Sequence, residues 1–322
     1  MFHKHPTLRT CTGKKVFPFM PLKWPFVIFS VVTFLISLYA IFDRGMNYGV
    51  DFIGGTKMVY TFDSLVTSEA IRTAAEASHL GDVQIVPFGG TSINQYIIRA
   101  KYVEGNDVPK ILDAQFEKSF GKGKFSNLGT ESVGPKVGAD LQKKGWLSIV
   151  MTCVLLLIYI GFRFDFIFAP GAIVALVHDV LISAGIFAVL GKEFNLPILA
   201  ALLTILGYSI NDTIIIYDRI RENLNKLPKT LSLEEVLDIS LTETFSRTIV
   251  TSLTVFLVVF TLFLIGGGVL HDFAFCLMVG VVFGTYSSIF IAPPIYLALQ
   301  KIFPDQGLKK KAVVVAVKKK AA

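Results

Sequence analysis

The sequence predicts an α-helical integral membrane protein with six transmembrane helices and one α+β domain inserted between the first two. Three observations predict it. The 322 residues are 53% hydrophobic and only 17% charged, against about 25% charged for a typical soluble domain. The apolar residues gather into six runs of 18 to 28 residues, close to the roughly 20 needed to span a bilayer. Between the first and second runs lies a polar stretch of 102 residues, 43–144, with alternating strand and helix patterns. These properties exclude a single soluble domain, a disordered chain and a collagen-like one.

The basic segment 1–23 precedes the first run, Trp24 to Phe42. That run exceeds the 7–15-residue core of a cleaved signal and lacks a small-residue cleavage site, so an uncleaved anchor at 24–42 is expected. The later runs are Gly145–Phe162, Phe166–Leu190, Phe194–Tyr217, Thr248–Leu270 and Phe273–Gln300. They place helices 2–6 within 145–300. Pro293-Pro294 predicts a kink near the end of the last one.

Lys and Arg set the orientation. Lys4, Arg9, Lys14, Lys15 and Lys23 precede the first run. Arg219, Arg221, Lys226, Lys229 and Arg247 follow the fourth, and the tail 301–322 carries seven lysines. The opposite connections offer only Lys192 and the cation-free His271-Asp272. Both termini are therefore expected in the cytoplasm and 43–144 outside. The net charge of +7 reads as loop charge on that inner side. No C2H2, CxxC or RNP-like pattern supports nucleic-acid binding. Cys11, Cys153 and Cys276 all lie outside 43–144, so that domain holds no disulfide.

Within the insert, Thr56–Phe62 alternates as a strand, and Ser64–Leu80 carries helix formers behind a Thr67 or Ser68 cap. Val83–Pro87 is a short strand, Gly89, Gly90 and Ser92 a turn, and Ile93–Tyr102 another strand. Asp107–Phe120 spaces Val108, Ile111, Leu112 and Phe116 as an amphipathic helix, and Lys124–Val133 closes as a strand. The order β-α-β-β-α-β is ferredoxin-like. On the inner side, Ser232 and Glu235 form a capping box. The segment 218–246 reads as an amphipathic helix, lying on the membrane surface or packed on cytoplasmic protein.

Charges inside spans are costly and mark function or glue. Asp212 sits about five residues, roughly 8 Å, inside the fourth run, among Ser209, Asn211 and Thr213. Arg247 opens the fifth run on the same side and is placed to meet it. Paired, Asp212 stays ionised; separated, a desolvated carboxylate favours its neutral form. A proton-linked switch and a static helix lock are both consistent with that placement. His178-Asp179 lies mid-span in the third run, as proton relay or interhelical glue. Gly280 and Gly284 make a small-xxx-small motif. HExxH, GxSxG, Walker and dinucleotide-binding motifs are missing. No catalytic constellation, metal-ligand set or cofactor is therefore expected, and without a Walker motif work must come from an ion gradient or a partner.

The motifs resemble the SecF family, the smaller half of the bacterial SecD–SecF export auxiliary in the RND superfamily. Gly49-Val-Asp-Phe-Ile-Gly-Gly55 matches the family's GVDFxGG motif and Val177-His178-Asp179 its third-helix motif. Gly207–Thr213 continuing to Tyr217–Glu222 matches the fourth-helix signature, and Arg247–Ser252 the start of the fifth. The resemblance implies an inner-membrane subunit that pairs with SecD, meets the SecYEG channel and a translocating preprotein, and takes YajC as a further partner. It implies help at a late stage of translocation, driven by the proton motive force, with Asp212 and Arg247 as the proton-linked residues. His178, Asp179 and Asn211 are auxiliary polar candidates. Gly49, Asp51, Gly54 and Gly55 are candidates for a hinge or a close-packed junction. The competing readings are a half-size RND exporter of lipids or small amphiphiles and a non-transporting scaffold.

Overall fold

A computed structural model describes residues 13, 15–78, 80, 83–88, 94–101 and 107–303. The expected Gly89-Gly90-Ser92 turn and the lysine-rich tail beyond residue 303 fall outside these residues.

Six helical segments are long and apolar enough to cross a membrane. The first is α1, Lys23–Asp43. A two-residue strand β1 (Asn47–Tyr48) and one turn of helix α2 (Val50–Ile53) lead into the outer domain. That domain runs β2 (Gly55–Phe62), α3 (Ser68–Glu76), β3 (Val83–Phe88), β4 (Gln95–Ala100), α4 (Val108–Phe120) and β5 (Phe125–Val133). Its antiparallel sheet has the order β3-β4-β2-β5, the arrangement expected of a ferredoxin-like unit. The Thr67 side chain caps α3 through Ala70 N–H, and Asp107 caps α4 through Lys110 N–H, each satisfying a donor that the first helical turn leaves free. Met58, Tyr60 and Phe62 of β2 pack on Ile71 of α3 and on Leu112 and Phe116 of α4. Tyr60 donates to Asp113 at 2.6 Å. Burial, with that carboxylate beside it, raises the Tyr60 phenol far above its ordinary pKa.

The second membrane helix, α5, spans Pro135–Arg163. It therefore starts ten residues before the apolar run, because Pro135 at its first position favours helix and the polar turns 135–144 emerge above the apolar stretch. Next come α6 (Ala169–Leu190), β6 (Glu193–Phe194) and α7 (Leu196–Lys226). After them come α8 (Leu233–Ile265), α9 (Gly267–Phe290) and α10 (Ala292–Ile302). The last span breaks at Ile291, just before Pro293-Pro294, as their missing N–H groups require.

The segment 218–246 is not one amphipathic surface helix. Residues 218–226 extend α7, and 233–246 are the first turns of α8, continuous with the fifth span. Its apolar positions Leu237 and Leu241 are buried in the bundle core, so they pack on protein rather than on lipid. The capping box at Ser232 and Glu235 is present and starts α8. Asp238 and Thr242 of this part accept from Met20 N–H and Phe17 N–H, which ties the N-terminal segment to it.

Helices α6, α7 and α9 form the centre of the bundle, while α1 and α8 leave broad apolar faces outward. Gly280 and Gly284 of α9 let it press on α7. A Cβ at Gly280 would collide with Ile205, and one at Gly284 would lie 3.0 Å from Ser209 Cβ.

Candidate functional site

The close α7–α9 approach brings a polar layer together inside an apolar bundle. Asp179 of α6 has no exposed surface. Its Oδ2 accepts from Ser209 of α7 at 2.7 Å and from Ser287 of α9 at 2.8 Å. Its Oδ1 lies 3.0 Å from Nδ1 of His178. One carboxylate thus collects hydroxyl groups from two neighbouring helices and an imidazole from its own.

Asp212 follows Ser209 by three residues on α7, so the two share a helix face. It too is buried, but its surroundings differ. Oδ2 accepts from Ser252 of α8 at 3.2 Å. Ser252 lies 2.6 Å from the hydroxyl of Thr285 on α9. Asp212 Oδ1 has no hydrogen-bond partner among the described residues, and neither do Tyr208 Oη and Thr248 Oγ1. Tyr208 stands one turn before Asp212, and Thr248 one turn before Ser252. The unpartnered oxygens therefore lie along the seam between α7 and α8.

The expected contact between Asp212 and Arg247 is not formed: among the described residues no ion pair joins them. The reason is helical geometry. Ser252, which reaches Asp212, and Arg247 are five residues apart, roughly 140° around α8. Arg247 is exposed and lines a cleft of about 500 Å³ with Arg163, Asp218, Arg219, Glu222 and Glu243. There Arg219 holds Glu243 at 2.7 Å. Asn211 faces outward from the bundle, on the exposed face of α7 that also carries Thr204, Gly207 and Asp218.

The Gly49–Gly55 segment lies between the membrane helices and the outer domain. Asp51 Oδ2 accepts from Leu196 N–H at 2.9 Å and so caps α7, together with Asn195, which accepts from Ile198 N–H. Strands β1 and β6 pair in parallel beside it. Gly54 has φ +78°, and a Cβ there would lie 2.7 Å from Pro135 Cα. Gly55 has φ +152°, and its Cβ would lie 2.8 Å from Ala100 O. Only glycine combines that backbone with that approach. A Cβ at Gly49 would meet Glu193 Oε1 at 2.5 Å, and Glu193 is ion-paired with Arg99 of β4. Burial raises the Glu193 carboxyl above its usual range, against the opposing pull of Arg99 and Lys57.

Sequence reasoning named both carboxylates but missed Thr285 and Ser287, which face them from α9. The available signal was Thr285, Ser287 and Ser288 recurring inside an otherwise apolar run. No group of three or more His, Cys, Asp or Glu side chains that could hold a metal occurs among the described residues.

Six spans, an inserted ferredoxin-like domain and two carboxylates buried inside the bundle define a multi-pass membrane protein with a polar layer in its core. Within it, the family model for the protein export membrane protein SecD/SecF, C-terminal, matches residues 113–302, and that for the SecD/SecF GG motif matches 39–64. The chain belongs to the SecD/SecF family. It is 40% identical over 271 residues to the protein translocase subunit SecF of Calditerrivibrio nitroreducens, covering 83% of this chain and 88% of that one. It is 35% identical to the subunit of the same name from Escherichia coli O157:H7, covering 89% of each. The crystal structure of SecDF, a translocon-associated membrane protein from Thermus thermophilus, superposes with a TM-score of 0.80 at 34% identity. That match covers 89% of this chain but 39% of the SecDF chain, so this chain corresponds to about two fifths of it.

Proposed function

We propose that this chain is the SecF-type subunit of a Sec-pathway translocase auxiliary. It works with SecD to couple the proton motive force to late-stage preprotein translocation through SecYEG. Support for the translocase role comes from relatives named as translocase subunits and from a solved neighbour described as translocon-associated. The observation that carries proton coupling is the buried Asp212, with one oxygen held by Ser252 and the other without a partner among the described residues. A carboxylate ion left this way in a bundle is expensive. A neutral acid there has a donor of its own to offer, and changing partners on protonation gives the helices two arrangements to choose between. The Arg247 cleft lies at the same end of α7 and α8 and supplies the cation and water for the charged form.

The exposed Thr204, Gly207 and Asn211 face of α7 supports a protein partner in the membrane, since an exposed amide turned to lipid is costly. SecD is the partner proposed for it, with YajC as a further one. Placement in the bacterial inner membrane with both termini cytoplasmic rests on the lysine and arginine asymmetry. The role proposed is transport rather than enzymatic.

The test is proton-gradient-dependent export in inverted vesicles carrying Asp212→Asn, normalised to folded complex. The expected outcome is normal insertion and SecD binding with the gradient-dependent part of export lost. Wild-type coupling by this variant would overturn the assignment.

A further inference from the structure

Between α1, α6 and α10 runs an apolar groove of about 670 Å³, open along the side of the bundle. Its walls include Val31 and Leu35 of α1, Val174 and Val177 of α6, and Ile295 of α10. Its polar lining is uneven. Lys23 and Lys301 stand together at one end beside Trp24, which is 65% exposed. Far inside, His178 forms part of the lining, 5% exposed, with Nε2 lacking any partner among the described residues.

We propose that this groove binds one anionic phospholipid of the leaflet on the Lys23 side. The phosphate sits against Lys23 and Lys301, and an acyl chain lies along α1 toward Leu35. Length supports it: twelve residues separate Lys23 from Leu35, about 18 Å of helix, close to the roughly 15 Å depth of one leaflet. Charge supports it as well. Glu234 bridges the two lysines, at 3.6 Å from Lys23 and 2.8 Å from Lys301. Two ammonium groups against one carboxylate leave one positive charge for a phosphate. Trp24 stands where an indole prefers to lie, at the boundary of headgroup and chain. Below it the walls are apolar apart from Ser30, which is engaged with Tyr286, and the edge of His178, so a chain is accepted and a soluble anion finds no cation beyond the rim. Once seated, the acyl chain covers the outer edge of His178 and keeps water from reaching the His178–Asp179 pair from the lipid side.

The test is native mass spectrometry of the full-length chain, purified in detergent and titrated with phosphatidylglycerol or with phosphatidylcholine of the same acyl chains. One phosphatidylglycerol should be retained per chain, with a preference of about fivefold over phosphatidylcholine, the value of one net basic residue at a membrane surface. The preference should vanish in Lys23→Gln/Lys301→Gln. It should rise in Glu234→Gln, which frees both lysines. Val174→Trp fills the groove from its lipid-facing wall and should remove the retained lipid whatever its headgroup. Equal retention of the two lipids by the wild type would overturn the proposal. So would a preference that survives the double lysine variant, since the attraction would then belong to the C-terminal lysines. Retention unchanged in Val174→Trp would place the lipid elsewhere. Each variant is checked for monodispersity and melting temperature, and Glu234→Gln, with its opposite sign, keeps the test decisive if the double variant unfolds.

Discussion

Asp179 and Asp212 lie in adjoining parts of one bundle, yet their surroundings are opposite in kind. Around Asp179, two hydroxyls and an imidazole converge on a carboxylate with no exposed surface, from three helices in all. Around Asp212, one serine approaches one oxygen, and the other oxygen, with Tyr208 and Thr248 nearby, has no partner among the described residues. The difference teaches which carboxylate can change. A fully partnered group stabilises one arrangement of helices, and Ser209 and His178 would be stranded if it moved. An under-partnered group costs free energy in its present state and gains from any rearrangement that completes its bonds.

Replacing each carboxylate by leucine breaks or sharpens this contrast most directly. Asp179→Leu leaves Ser209, Ser287 and His178 facing an apolar side chain. Ser287 keeps Gly284 O as a partner, so two groups are stranded, and unfolding stability should fall by about 2–6 kcal/mol, at roughly 1–3 kcal/mol each. Asp212→Leu strands only Ser252 and removes an unpartnered oxygen, so stability should shift by less than about 1 kcal/mol, since apolar replacement of a buried charge is often neutral. Thermal unfolding in detergent measures both. Equal losses would erase the distinction.

Gly54→Val is a control outside the polar layer. It places a side chain against the Pro135 backbone at positive φ and should cost about 2–4 kcal/mol through strain and overpacking. Limited proteolysis should show the junction between the outer domain and α5 opening, with the protease sensitivity of α6 and α7 unchanged. A globally loosened chain would mean that the junction and the layer fold as one unit.

Ser252→Ala removes the one donor to Asp212 and should cost about 1–2 kcal/mol. If Asp212 is the switch, gradient-dependent export should fall several-fold while abundance is kept. Lower abundance with unchanged export per folded molecule would make Ser252 a packing residue.

Glu193 offers a third, milder case, a half-buried carboxylate that has an arginine. Its native pKa is raised above the ordinary glutamate value of 4.5, burial being the largest cause. The native state therefore holds the proton more tightly than the unfolded chain does. This group's contribution is most favourable below pH 4.5 and declines as pH rises through the raised native value. Glu193→Gln should flatten that slope in melting temperatures taken from pH 4.5 to 7. A slope identical to that of the wild type would assign the pH dependence to other groups.

Six spans and a ferredoxin-like insert were legible in the residues because apolar run length and strand–helix periodicity are local properties of the chain. Asp179 and Asp212 were equally legible, as charges where the membrane makes charge expensive. Tertiary structure decided who meets them. Ser287 lies over 100 residues from Asp179 in sequence and bonds it, and Thr285 bonds Ser252, the donor to Asp212, because Gly280 and Gly284 let α9 press onto α7. Arg247 had the right depth, but the rotation of α8 about its axis leaves it acting on Asp212 at a distance rather than in a salt bridge. The segment 218–246 has the composition of a surface helix, but Leu237 and Leu241 found a protein core. An apolar stripe records that a face will be buried; what covers it is settled by the packing of the other helices.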